Sequence, residues 1–159
     1  MLIAVLTISD RCSQGQATDT AGPAIVALLR EQWPATTIHS GLVPDEEAQI
    51  ATYLEQQSER GASLILTVGG TGLSPRDRTP EATLKVLDRQ VPGLSEAMRS
   101  KGSESNPYAW LSRGVAGLRG STLIVNLPGS LRGAKESLAS ILPLLRHALE
   151  VASGSQLHL

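Results

Sequence analysis

The sequence predicts an α/β fold: a three-layer, doubly wound arrangement in which a mostly parallel sheet carries helices on both faces and includes one antiparallel strand. Residues 2–8 and 64–68 are near-continuous aliphatic runs, the pattern of strands buried on both faces of a parallel sheet. Segments of helical periodicity alternate with the strand-like runs, which is the order that builds βαβ units. Four polar or glycine-bearing stretches, Ser9-Asp10, Pro44-Asp45, 69–77 and 126–130, each follow such a run, and a doubly wound sheet gathers these loops at the carboxyl ends of its strands.

The first strand covers residues 2–8 and is central because it is apolar throughout; a polar loop over 9–19 follows it. Thr20 and Pro23 open a helix in which Ile25, Leu28, Leu29 and Gln32 recur at helical spacing. Residues 37–43 alternate loosely as a strand ending at Pro44-Asp45, and Ile50, Leu54 and Gln57 then mark a helix that stops at Gly61. The strand over 63–68 runs straight into Gly69-Gly70-Thr71-Gly72. Thr79 reads as a capping threonine before Pro80 at the first helical position, with Ala82, Val86 and Leu87 on the stripe that follows, and a further helix begins near Pro92. Around Leu118 and Leu123, two short β-prone runs flank Arg119-Gly120-Ser121, a tight turn between antiparallel strands. The strand over 121–127 ends at Pro128-Gly129, and residues 131–151 are helical, with Pro143 either kinking that helix or starting a second one. No repeat, low-complexity tract or dividing linker interrupts the chain, so one domain is expected over 1–153, with a frayed tail over 154–159.

Composition narrows the chemistry. Hydrophobic residues make up 41% of the chain and charged ones 18%, an ordinary globular balance. The net charge of −1 and the absence of any basic run argue against an extended nucleic-acid contact. No apolar stretch approaches the roughly 20 residues of a membrane-spanning helix, and the opening residues read as a strand rather than a secretory signal, so a cytoplasmic location is expected. A single cysteine, Cys12, excludes an internal disulfide and paired-cysteine zinc sites, while His39, His147 and His158 lie far apart without ligand spacing. Cys12 has no histidine near it in sequence and reads as a small semi-buried thiol, not a nucleophile.

The candidate site therefore rests on glycine, carboxylate and phosphate-type chemistry. Gly69-Gly70-Thr71-Gly72 lets backbone amides approach an anion, although the same tetrapeptide also suits a tight turn after a central strand, and it matches neither a Walker A loop nor a dinucleotide fingerprint. Leu73-Ser74-Pro75-Arg76-Asp77-Arg78-Thr79-Pro80 adds two cations, a carboxylate and a helix start, a combination suited to a magnesium-bound polyphosphate. Asp45 either caps its helix or joins Asp77 as a second hard oxygen ligand to Mg²⁺. Thr7, Ser9, Asp10 and Asp19 cluster after the first strand, where turn and cap chemistry is the alternative reading. Asn126 precedes Pro128-Gly129 and either makes a turn or offers its amide to a nucleobase or ribose edge. No serine or cysteine triad is present, which suits a transfer in which a substrate phosphate is itself the nucleophile, dianionic at neutral pH given a second pKa of about 6.

Thr7-Ile8-Ser9-Asp10-Arg11, Val43-Pro44-Asp45-Glu46, Gly69-Gly70-Thr71-Gly72, Pro75-Arg76-Asp77-Arg78-Thr79-Pro80-Glu81-Ala82, Arg119-Gly120-Ser121-Thr122-Leu123-Ile124 and Asn126-Leu127-Pro128-Gly129 occur in one order along nearly the whole chain. Together they resemble the molybdopterin adenylyltransferases, including the G domains of the two-domain plant and animal proteins of molybdenum cofactor biosynthesis. The resemblance implies a homotrimer that binds molybdopterin and Mg-ATP side by side, transfers AMP to the terminal phosphate of molybdopterin with release of pyrophosphate, and passes the product to a molybdenum-insertion enzyme. It implies that Asp45 and Asp77 are the catalytic and magnesium carboxylates, and that residues 69–72 and 126–129 hold the nucleotide beside Arg76, Thr79 and Pro80. It places Thr7, Ser9, Asp10 and Asp19 on the pterin side.

The chain departs from that pattern at Gly102, where many relatives have serine, with Ser103 next to it; Pro107, Ala109, Leu111, Ser112 and Arg113 keep the surrounding register. A non-catalytic pterin-binding or scaffolding member would share the fold, but retention of both aspartates argues for the enzyme. A hydrolase-type relative would show Gly-Gly-Leu-Gly followed by paired aspartates, whereas this chain has Thr71 and a single Asp77.

Overall fold

Among the described residues, β1 (Leu2–Ile8), β2 (Thr37–Val43), β3 (Leu64–Val68), β4 (Arg89–Gln90), β5 (Ala116–Arg119) and β6 (Thr122–Leu127) form one sheet in the order β2-β1-β3-β6-β5-β4. The structure is a computed structural model and describes residues 1–155, so the end of the expected tail, residues 156–159, lies outside the described residues. Strands β2, β1, β3 and β6 pair in parallel, and β5 runs antiparallel to both β6 and β4, as the single reversed strand of the sheet.

The alternation of side chains along the strands divides the core into two layers. Ile3, Val5, Leu64, Leu66, Leu123 and Val125 meet one set of helices, α2 (Ala21–Gln32), α5 (Pro92–Ser103) and α6 (Leu131–Ala152), through Ile25, Leu29, Met98, Leu138 and Ile141. Ala4, Leu6, Ile65 and Ile124 point the other way, against Ile50 and Leu54 of α3 (Glu47–Glu59) and Ala82 and Val86 of α4 (Thr79–Val86). Leu29 and Leu138 are fully buried; truncating such a residue to alanine costs about 2–5 kcal/mol.

Helix α2 carries the chain from β1 to β2 on one face, and α3 carries it from β2 to β3 on the other. Since β1 lies between β2 and β3, the winding direction reverses there, which opens a crevice beyond the carboxyl ends of β1 and β3. Register aligns Ile8 with Val43, Thr7 with Val68, and Val68 with Leu127, so the loops after β1, β2, β3 and β6 share one edge.

Several elements differ from the sequence expectation. The loop after β1 begins with a short helix, α1 (Asp10–Ser13), because the Ser9 hydroxyl accepts from the Cys12 amide at 3.1 Å and caps it. Thr20 makes no side-chain cap on α2; Asp19 does so by accepting from the Gly22 amide at 3.0 Å. Thr79 is not a cap but the first residue of α4, fully buried, with its hydroxyl donating to the Gly69 carbonyl at 2.9 Å. Pro143 lies inside one continuous α6, where it removes the hydrogen bond its position would give Ala139 and where buried Ile141 and Leu145 hold both sides. The two-residue β4 and a 3-10 turn over Pro107–Leu111 carry no hydrophobic periodicity that would announce them. No helix among the described residues is long and apolar enough to cross a membrane.

Candidate functional site

Two adjoining clefts open along the shared edge. The smaller, about 240 Å³, lies over the ends of β1 and β3 and is lined by Thr7, Ser9, Cys12, Asp19 and Asp45. The larger, about 700 Å³, runs from the glycine loop to α5, the 3-10 turn and the start of α6, with Thr71, Gly72, Asn126 and Pro128 on its wall. Gly70, Asp77 and Gly129 border both. Whatever occupies the two clefts therefore meets over these three residues.

The smaller cleft is built by reciprocal polar contacts. The Thr7 hydroxyl donates to the Asp19 carboxylate at 2.7 Å, joining the end of β1 to the start of α2. The amide of Asp10 donates to the Asp45 carboxylate at 2.9 Å, and the amide of Asp45 donates to the Asp10 carboxylate at 3.0 Å. Burial pushes the Asp45 carboxyl above its ordinary value, and the charges of Asp10 and Asp77 push it the same way, against the Asp10 amide and the Arg76 charge. A cation facing Asp45 and Asp77 would relieve that repulsion, and two carboxylates are the usual protein share of a Mg²⁺ site whose remaining ligands are phosphates and water. No cluster of three or more histidine, cysteine or acidic side chains suited to a metal occurs among the described residues.

The glycine loop turns on two positive φ angles, +109° at Gly69 and +69° at Gly70. A side chain at 70 would overlap the Thr79 hydroxyl and come within 3.2 Å of Asp45 Oδ1, and one at 72 would come within 2.9 Å of Asp77 Oδ2. Glycine is thus required where the backbone closes on both carboxylates. Among the described residues the amides of Gly70, Thr71 and Gly72 donate to no protein acceptor, leaving three successive N–H groups for an anion. Beyond Gly129, the Ser130 hydroxyl caps α6 by accepting from the Gly133 amide at 3.0 Å, so the long helix α6 begins at the larger cleft.

Some expected site residues stand back from the clefts. Arg76 lines neither: its guanidinium bonds the Asp10 carboxylate at 2.9 and 3.0 Å and Glu46 at 3.0 Å, and the bond from Arg76 holds the Asp10 carboxyl below its usual range. Asp10 likewise acts behind Asp45. Thr79 and Pro80 are buried at the start of α4 and support the loop from below. Both amide hydrogens of Asn126 are engaged within the fold: Nδ2 donates to the hydroxyls of Thr67 and Thr83 at 3.0 Å each, and Oδ1 accepts from the Val115 amide at 3.1 Å. It braces β6 against β3, α4 and the residue before β5, while Asn126 also lines the larger cleft. Gly102 lines the larger cleft, and next to it the Ser103 hydroxyl donates to the Ser100 carbonyl at 2.6 Å.

Sequence reasoning named Arg113 only as part of the register after Pro107, without a role, and it missed Arg99. Arg113 donates to the carbonyls of Gly72 and Asp77, and Arg99 donates to the carbonyls of Ser112 and Gly114. Apart from Glu81, which pairs with Arg113, their partners are backbone oxygens, which carry no residue-type signature.

Comparison with known proteins decides the family. Residues 4–147 match the MoCF_biosynth model, described as "Probable molybdopterin binding domain". This chain belongs to the MoCF_biosynth family. Among its members, the molybdopterin adenylyltransferase of Helicobacter pylori is 37% identical over 155 residues, covering 96% of this chain and 88% of that protein. The molybdopterin biosynthesis enzyme MoaB of Thermus thermophilus is 51% identical with a TM-score of 0.88, covering 96% of each chain. A MogA structure is 38% identical with a TM-score of 0.91, covering 96% of this chain and 99% of that one. The chain spans 22% to 47% of three larger curated MoCF_biosynth relatives, Dictyostelium discoideum gephyrin among them.

Proposed function

We propose that this chain is a molybdopterin adenylyltransferase of molybdenum cofactor biosynthesis, transferring AMP from ATP to the terminal phosphate of molybdopterin with release of pyrophosphate. The observation that carries this reading is the meeting of two clefts over Gly70, Asp77 and Gly129, with Asp45 on the same side as Asp77. A transfer between two bound substrates needs such a shared boundary. Relatives named molybdopterin adenylyltransferase support the choice of substrates.

A terminal-phosphate oxygen of molybdopterin attacks the α-phosphorus of ATP, a new P–O bond forms, and the bond to the β-phosphate oxygen breaks. The attacking monoester is already mostly dianionic at neutral pH, since its second pKa is about 6, so no protein base is required. The chain's part is placement and charge neutralisation. The amides of residues 70–72 and the start of α6 receive phosphate oxygens. Asp45 and Asp77 would hold Mg²⁺, which when bound neutralises polyphosphate charge. Arg76 contributes through Asp10, whose carboxylate holds the Asp45 amide. Thr7, Ser9 and Asp19 face the pterin in the smaller cleft, and Thr71, Gly72, Pro128 and Gly129 face the nucleotide in the larger one.

The test is a magnesium-dependent assay of purified protein with molybdopterin and ATP, following adenylylated molybdopterin by mass, for wild type and Asp77→Asn. Product from wild type and a loss of at least about a hundredfold in the variant supports the reading. No product from folded wild type favours a pterin-binding module without transferase activity. The cytoplasmic location, homotrimer and downstream molybdenum-insertion enzyme belong to the same proposal; a monomer in light scattering at micromolar concentration excludes the trimer.

A further inference from the structure

Residues 73–76 of the glycine loop are exposed, and the bonds between Ser74 and Asp77 are internal to the loop. Its attachment to the rest of the fold is concentrated on one residue. The Arg113 amide donates to the Thr71 carbonyl at 2.8 Å, Nε donates to the Gly72 carbonyl at 2.8 Å, and Nη2 donates to the Asp77 carbonyl at 2.7 Å. Nη1 pairs with Glu81 in the first turn of α4. Among the described residues, the other hydrogen bonds from 71–77 to the rest of the protein are those of the exposed Arg76 side chain.

Arg113 thus grips the loop on both sides of its exposed stretch while Glu81 orients the guanidinium. Its own backbone is held in turn, because Arg99 on the wall of the larger cleft donates to the carbonyls of Ser112 and Gly114 at 3.2 and 3.0 Å. A planar guanidinium can serve two carbonyls and a carboxylate at once in fixed directions; a lysine ammonium on a flexible stem pairs with Glu81 but cannot reproduce the fork.

We propose that Arg113 is a positioning residue that fixes residues 71–77, and with them Asp77 and the free amides, at the boundary of the two clefts. It touches the loop through backbone carbonyls and not the Asp77 carboxylate itself, so its effect is on where that carboxylate sits. The inference rests on the reading of Asp45 and Asp77 as magnesium carboxylates.

The experiment compares wild type, Arg113→Lys and a remote core control, Ile141→Val, in three measurements: Mn²⁺ binding in the presence of ATP by electron paramagnetic resonance, amide hydrogen exchange over 70–78, and the Mg²⁺ half-saturation of AMP transfer. Arg113→Lys is expected to weaken Mn²⁺ binding about tenfold, the usual effect of losing an outer support of a metal site. It should also speed exchange at Ser74 and Asp77, whose amides are bonded within the loop, and raise the Mg²⁺ half-saturation, with activity recovering at high Mg²⁺. Ile141→Val should lower Tm and leave all three unchanged. Arg113→Lys that lowers Tm alone, with Mn²⁺ affinity and loop exchange as in wild type, overturns the proposal. Wild type that binds Mn²⁺ with ATP yet makes no adenylylated molybdopterin removes the transferase reading, while the binding and exchange measurements still decide Arg113. Wild type that binds no Mn²⁺ overturns both.

Discussion

Asp10 and Asp45, 35 residues apart, each accept the other's backbone amide, at 3.0 and 2.9 Å. The pair clamps the carboxyl ends of β1 and β2 and fixes one Asp45 oxygen, while the other faces the turn at Gly70. Position and charge are thereby separated: Asp10 is neutralised by Arg76, whereas Asp45 lies near two other carboxylates in a partly buried setting. A group placed in that way is held for a ligand at some cost to the unliganded fold.

The cost has a predictable pH dependence. Burial, with Asp10 and Asp77, raises the folded-state pKa of Asp45 above its ordinary 3.8, so the folded chain binds this proton more tightly than the unfolded chain. The stability that protonated Asp45 contributes is fully present below the ordinary value and is lost as pH rises through the raised folded value. Asp45→Asn escapes this loss while keeping an oxygen for the Asp10 amide. Thermal denaturation should show the variant with a higher Tm than wild type near neutral pH, the gap closing below the ordinary value. Mg²⁺ with ATP should raise the Tm of wild type only, and AMP transfer by the variant should fall at least about a hundredfold. A variant less stable than wild type at neutral pH would refute the assignment.

Asn126 gives a prediction of the opposite kind. Its amide bonds go to partners within the fold, the buried Thr67 and Thr83 among them, so Asn126→Ala leaves the Val115 amide and both hydroxyls without their partner. The cost is about 3 kcal/mol, a fall in Tm of roughly 6–12 °C for a domain of this size. Nucleotide affinity measured by calorimetry well below the new Tm should stay within about threefold of wild type, since both amide hydrogens and one lone pair of Oδ1 are already taken by the fold. An unchanged Tm with affinity lost would restore the direct contact.

The contrast between Asn126 and the strands around it marks what a sequence can disclose. Residues 2–8 and 64–68 were readable because burial on both faces leaves an aliphatic run, and the loops after them because glycine and aspartate at a strand end announce close approach and polarity. Asn126 reads from its place before Pro128-Gly129 as a turn or a ligand contact, and it lies on the strand face of Ile124, which points into the α3 and α4 layer. Alternation along β6 was the available signal, and it favoured an interior brace. Thr79 before Pro80 has the local form of a cap, and only the fold reveals the Gly69 carbonyl beneath it. Arg113 was legible as the last residue of the pattern that starts at Pro107, but not in its role, since two of its side-chain partners are main-chain oxygens 41 and 36 residues away. The proposed trimer and the proposed ligand of each cleft rest on resemblance, because neither depends on a pattern within one chain.

Gly70 is the position at which backbone conformation and site geometry are least separable. Its φ of +69° is left-handed, and a β-carbon there would overlap the Thr79 hydroxyl that holds Gly69. Gly70→Ala therefore combines a backbone strain of about 1–2 kcal/mol with displacement of a buried hydrogen bond. Relief by shifting the loop away from Thr79 moves the unpaired amides of Gly70, Thr71 and Gly72 and alters the approach to Asp45. A misplacement of about 1 Å is enough to cost roughly a hundredfold in rate, whereas the loss of stability alone leaves most molecules folded at 25 °C. Gly70→Ala should thus lower Tm by at least about 4 °C and reduce kcat by about a hundredfold in protein that remains folded by circular dichroism. Pairing it with Thr79→Ala, which removes the overlapped hydroxyl but leaves the Gly69 carbonyl without its donor, should relieve the overlap and recover little of the rate. Full recovery of kcat in the double variant would show that the loop tolerates a side chain at this point and that the amides of residues 70–72 are not placed for the reacting phosphates.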